Sequence, residues 1–173
     1  MADVNFAAVR RSTDAVPSAR PLDGEIAHLD LIEALFFAYR DFVGDPDEIL
    51  EKIGFGRAHH RVLYFVCRNP GLPVAELLDI LKITKQSLAR VLRELVDAGY
   101  IEQMTGPTDR RQRLLYATET GVRLAADLSA PQARRIDRAL TGLGPEAAAQ
   151  AHAFLMGMVN PPPRRPGGPT SKR

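Results

Sequence analysis

Residues 83 to 99 run Ile83-Thr84-Lys85-Gln86-Ser87-Leu88-Ala89-Arg90-Val91-Leu92-Arg93-Glu94-Leu95-Val96-Asp97-Ala98-Gly99, and the remaining elements are arranged about them. The Thr84 hydroxyl suits an N-cap, where it accepts from a free first-turn N–H, and Gly99 suits the left-handed position just past a helix end. A helix is therefore predicted over 84–98. Within it Leu88, Val91, Leu92, Leu95 and Val96 recur at helical spacing on one face, while Lys85, Gln86, Ser87, Arg90 and Arg93 cluster away from it. One face packs. The other holds cations and hydrogen-bonding groups near the helix N-terminus, where a helix entering the major groove brings side chains to base edges. A polar outer face is also the norm for amphipathic helices, so the flanking segments decide between the two readings.

After Gly99, the runs 100–105 and 113–118 are short, contain aromatic and β-branched residues, and flank a turn carrying Gly106 and Pro107. They predict a β-hairpin. Its tip, Gly106-Pro107-Thr108-Asp109-Arg110-Arg111-Gln112-Arg113, carries three arginines. A basic wing over 105–113 beside a donor-rich helix suggests a second contact, with phosphates or the narrow minor groove. Charge is distributed to match. Between 22 and 55 nine acids face only Arg40 and Lys52, whereas from 82 to 113 seven cations face Glu94, Asp97, Glu102 and Asp109. The basic footprint sits on the helix and hairpin rather than over the whole surface.

From about 56 to 121, the pieces Gly56-Arg57-Ala58-His59-His60-Arg61-Val62-Leu63, Asn69-Pro70-Gly71-Leu72, Glu76-Leu77, Lys85-Gln86-Ser87, Leu95-Val96-Asp97-Ala98-Gly99-Tyr100-Ile101, Asp109-Arg110-Arg111 and Thr118-Glu119-Thr120-Gly121 occur in an order that resembles the MarR family of bacterial transcriptional regulators. The resemblance implies a mainly α fold with a small β-hairpin wing: a winged helix-turn-helix domain with N- and C-terminal dimerisation helices. It implies a homodimer, repressor or activator, on pseudo-palindromic promoter DNA. Asp109 would brace Arg111, which would reach into the minor groove. A small, often phenolic or anionic effector would sit in a cleft between the dimer helices and the DNA-binding domain, for which position suggests Phe36, Tyr39, Arg40, His59, His60 and Tyr64. Two residues depart from the family pattern. Pro73 stands where a Thr or Ser helix cap is usual, and Lys82 where the helix-turn-helix turn is often Gly. If that turn needs positive φ, Lys82 is strained, and either the turn differs or the lysine is kept for a phosphate contact.

The rest of the chain is read around this centre. Of 173 residues, 45% are hydrophobic and 25% charged, as expected for one main globular domain. No apolar run approaches the ~20 residues of a membrane span, and no signal-peptide core opens the chain, so a cytoplasmic protein is expected. Residues 1–21 read as a mobile arm; 22–55 as an N-terminal dimerisation helix (22–43) and linker broken at Gly44-Asp45-Pro46; 56–118 as the winged helix-turn-helix; 119–159 as C-terminal dimerisation helices; 160–173 as a disordered basic tail. Within these, 57–69 is expected helical, as is 73–81. Pro131 should kink or interrupt the helix that Thr118 opens, and Pro145 should start the last one.

Three rival functions draw on few residues. Cys67, the one cysteine, follows an apolar run and is expected to pack as a structural thiol, with a redox-responsive regulator as the alternative. Adjacent His59 and His60 point to different sides of a helix, and with His28 and His152 they lack zinc-ligand spacing; no metal or other cofactor is expected. No phosphate-binding glycine loop or paired acidic site suggests an enzyme. A winged helix used only for protein contacts is the remaining alternative.

Overall fold

The computed structural model describes residues 26–160. The expected arm at 1–21 and the basic tail from 161 onward lie outside the described residues. The chain divides into two units, Met1–Arg40 and Asp41–Arg173.

In the first, residues 26–28 form a turn in which His28 takes φ 65°, a left-handed conformation that a right-handed helix cannot include. Helix α1 (Leu29–Gly44) therefore begins seven residues later than the sequence suggests and runs across the boundary into the second unit. None of its residues is buried, and Leu31, Leu35, Phe36 and Tyr39 are exposed.

In the second, α2 (Asp47–Lys52), α3 (Arg57–Arg68), β1 (Leu72–Pro73), α4 (Val74–Leu81), α5 (Lys85–Asp97), β2 (Ile101–Thr105), β3 (Arg113–Ala117), α6 (Glu119–Leu140) and α7 (Ala147–Met158) follow in order. The core is continuous: Val62, Leu63 and Val66 of α3 meet Leu77 and Leu81 of α4, Leu88, Val91 and Leu95 of α5, Ile101, Leu115, and Leu124 and Leu128 of α6. Gly121 allows the α6 start to close on this core, because a Cβ there would stand 2.1 Å from the Tyr100 carbonyl oxygen.

The expected hairpin is one edge of a three-stranded antiparallel sheet ordered β1-β3-β2, with Gln103 opposite Leu115 and Thr105 opposite Arg113. The extra strand corrects the reading of Pro73. Rather than entering the first turn of α4, Pro73 is its extended N-cap at φ −65°, ψ 141°, and pairs with Leu114. An edge strand tolerates a residue that has no N–H to donate.

Pro131 corrects a second expectation, since α6 runs unbroken through it. Proline removes one backbone bond, and the following turns are tied down from elsewhere. Gln132 Nε2 donates to the Phe42 carbonyl at 3.0 Å, and the Arg135 guanidinium makes two bonds to the Asp45 carboxylate at 2.6 and 2.7 Å. Pro145, in turn, precedes α7 without starting it; Glu146 is the N-cap.

Lys82 does adopt the left-handed conformation, at φ 53° and ψ 41°. The helix-turn-helix turn thus keeps the geometry that favours glycine, at a cost of about 1 kcal/mol for a residue with a Cβ.

Candidate nucleic-acid interface

Helix α5 is delimited as its sequence dictates. The Thr84 hydroxyl accepts from the Ser87 N–H at 3.1 Å and donates to Ser87 Oγ at 2.9 Å, leaving the Ser87 O–H free to donate outward. Gly99 closes the other end at φ 75°. Between the caps Leu88, Val91, Leu92 and Leu95 are at most 3% exposed, whereas Lys85, Gln86, Ser87, Arg90 and Arg93 all lie on the surface. Gln86, Ser87, Arg90 and Arg93 surround one shallow hollow, so the polar side chains converge.

A charge-bearing contact fixes α5 from behind. His59 on α3 is buried, its Nδ1 accepts from the Gly56 N–H at 3.1 Å, and its Nε2 stands 2.5 Å from Glu94 Oε2 on α5. Since Nδ1 is the acceptor, Nε2 carries the proton and donates to the carboxylate. The Phe55 ring stacks on the imidazole at 4.4 Å between centroids and 3° between planes. The sequence gives no sign of this pairing, because its two halves lie 35 residues apart.

The wing tip is ordered by its own backbone. Gly106 N–H donates to the Gln112 carbonyl and Gln112 N–H to the Asp109 carbonyl, both at 3.0 Å, while Asp109 Oδ1 accepts from the Arg111 backbone N–H at 2.9 Å. Asp109 thus shapes the turn from which Arg111 projects, through the main chain of that residue. Arg110, Arg111 and Arg113 are exposed, and Arg113 Nη1 donates to Thr105 Oγ1 at 2.7 Å across the hairpin.

Between α5 and the wing runs an open groove of about 820 Å³. Pro73, Val74, Leu78, Leu92 and Val96 contribute apolar surface, and Lys85, Arg93, Arg111 and Arg113 contribute charge. Of the expected site residues, Lys85 and Arg93 of the helix and Arg111 and Arg113 of the wing line this groove together with Asp97, whereas Gln86, Ser87 and Arg90 line the separate hollow on α5 and Asp109 and Arg110 line neither. Gln103 and Gln112 also line the groove and were not anticipated. Gln103 had a legible signal: strand alternation puts it on the face of buried Ile101, opposite buried Leu115, where a polar residue is out of place unless that face opens.

The residues expected to hold an effector are distributed differently. Phe36, Tyr39 and Arg40 belong to the first unit, where Phe36 and Tyr39 are exposed and the Arg40 guanidinium stands 4.9 Å from the Phe37 ring centroid. In the second unit His59 is held by Gly56 and Glu94, His60 is buried, and Tyr64 is 41% exposed. Burial lowers the His60 pKa below its ordinary 6.5 and raises that of half-buried Cys67 above 9.0. No group of His, Cys, Asp and Glu among the described residues has the arrangement of a metal site.

A helix backed by a second helix, with its polar face outward and a sheet carrying a basic loop beside it, defines a winged helix-turn-helix protein. A sequence profile of the MarR family matches residues 53–112, and the HTH-type transcriptional regulator PetP of Rhodobacter capsulatus is 48% identical over 134 residues, covering 78% of this chain and 81% of that protein. The chain belongs to the MarR family of transcriptional regulators. Solved structures agree in fold. A MarR-family regulator from Silicibacter pomeroyi superposes with TM-score 0.64 at 20% identity, covering 74% of this chain and 86% of its own, and a MarR protein from Peptoclostridium difficile with TM-score 0.64 at 18% identity, covering 86% and 92%.

Proposed function

We propose that the protein acts as a homodimer whose two α5 helices enter successive major grooves of pseudo-palindromic promoter DNA, with the wings on the flanking minor grooves. One observation carries this reading. The cations of α5 and its one amide, Gln86, lie on the surface, as do the wing arginines, while the apolar side of the same helix is buried in the core. Two such helices fit one duplex when they lie about 34 Å apart, one helical turn.

In this proposal Gln86, Ser87 and Arg90 read bases. Lys85, Arg93, Arg110 and Arg113 bind mainly phosphates, and Arg111, on the turn that Asp109 holds, enters the minor groove. The homodimer is supported by apolar surface left open in each unit: Leu31, Leu35, Phe36 and Tyr39 in the first, Phe154, Leu155, Met156 and Met158 in the second. Apolar surface on this scale marks contact sites. A small effector, if it acts, must have unequal affinity for the DNA-competent and incompetent arrangements of the dimer.

Fluorescence anisotropy with a labelled duplex, titrated with salt, tests the core of the proposal. Log affinity is expected to fall steeply and linearly with log salt, since each phosphate contact releases counterion, with a slope of about −0.9 per contact. Arg111→Ala should weaken binding to every duplex alike. A flat salt dependence would support the protein-contact alternative instead.

A further inference from the structure

The turn that joins α4 to α5 holds a lysine in a conformation suited to glycine. Lys82 is left-handed at φ 53°, a strain that proteins retain chiefly where a side chain has work to do. The usual structural reasons for a lysine at a helix C-terminus are met by other groups. The Lys82 N–H donates to the Leu78 carbonyl at 3.0 Å, a bond that any residue but proline would make. The carbonyl end of α4 already has a cation, because Arg61 Nη2 of α3 reaches the Leu81 carbonyl at 3.5 Å. Packing at the turn falls to Ile83, which lies against the core. The Lys82 side chain is exposed and has no ion-pair partner among the described residues.

Its position supplies a reason. Lys82 precedes the N-cap Thr84 by two residues and Lys85 by three, a stretch that spans at most ~11 Å. Its exposed side chain is rooted in the turn that leads into the N-terminus of α5, and a point charge on a flexible stem suits contact with a phosphate.

We infer that Lys82 is a DNA phosphate contact, kept at a strained turn position for its charge. This rests on the DNA-binding reading above. The test compares wild type with Lys82→Gly, Lys82→Gln and Lys82→Arg, by thermal unfolding and by anisotropy on a random-sequence duplex across a salt series.

Lys82→Gly should raise Tm by about 1–4 °C, as relief of strain in a chain of this size does. In the same variant the magnitude of the salt slope should fall by about 0.9 per lost contact, or about 1.8 for a dimer. Lys82→Gln should lose the same slope without gaining Tm, and Lys82→Arg should keep the wild-type slope. Unchanged slopes in both Lys82→Gly and Lys82→Gln, with wild type binding normally, overturn this inference alone. Failure of wild type to bind any duplex overturns the DNA-binding reading and this inference with it.

Discussion

His60 is buried on α3, and desolvation holds its imidazole pKa below the ordinary 6.5. As pH falls through 6.5 the unfolded chain takes up a proton that the folded chain refuses, so more protons are bound in the unfolded state and stability declines. The contribution is complete above 6.5 and is lost towards the lower folded pKa. Wild-type Tm should accordingly drop as pH falls below about 6.5, and His60→Leu should flatten that part of the profile whatever its Tm at neutral pH; an unchanged slope in the variant would remove His60 as its source. Cys67 behaves in the opposite electrostatic sense with the same cause: burial raises the thiol pKa, so little thiolate exists at neutral pH. Disulfide-exchange labelling of the native protein should be slower than that of the unfolded chain. Labelling at the unfolded rate would restore the redox-responsive alternative. At this scale the sequence was informative wherever one residue acts on its own chain neighbours. Thr84 and Gly99 both do so, whereas the part of Asp109 came only from the family resemblance, and its carboxylate accepts from the Arg111 backbone N–H. The sequence was silent on the bond from His59 to Glu94, which exists only once α3 and α5 have packed.

Helix α5 was legible because cap, apolar stripe and terminal glycine all lie within seventeen consecutive residues, and each is a local rule. Thr84→Ala removes the hydroxyl that accepts from Ser87, which should cost about 1 kcal/mol. That corresponds to a fall in Tm of roughly 2–4 °C, readable by thermal unfolding, and no loss would mean that tertiary packing alone holds the helix start. The elements that were misread depend on distant partners. Strand β1 is two residues long and half proline, and it becomes a strand only because β3 passes beside it. Helix α6 survives Pro131 because Phe42 and Asp45, some ninety residues earlier, engage Gln132 and Arg135. The Asp45 carboxyl pKa is lowered by its bonds to Arg135, so this support is present above about pH 3.8 and is lost as acid protonates the group.

In the whole molecule, packing and function divide the chain. Among the described residues the buried hydrophobic core gathers around the winged helix, from Leu50 to Leu128, while α1 and α7 have no buried residue. Helix α1 leaves Leu31, Leu35, Phe36 and Tyr39 exposed, apolar surface that its own chain does not cover. Sedimentation equilibrium should find a dimer, and a monomer at micromolar concentration would leave those faces without the proposed partner. The proposed function of the dimer depends on two copies of α5 reading sequence together. Its most direct test is selection from random duplex DNA by the purified full chain at near-physiological salt. An enriched inverted repeat, with half-sites one helical turn apart, is the predicted result; a folded protein that enriches no sequence would contradict it.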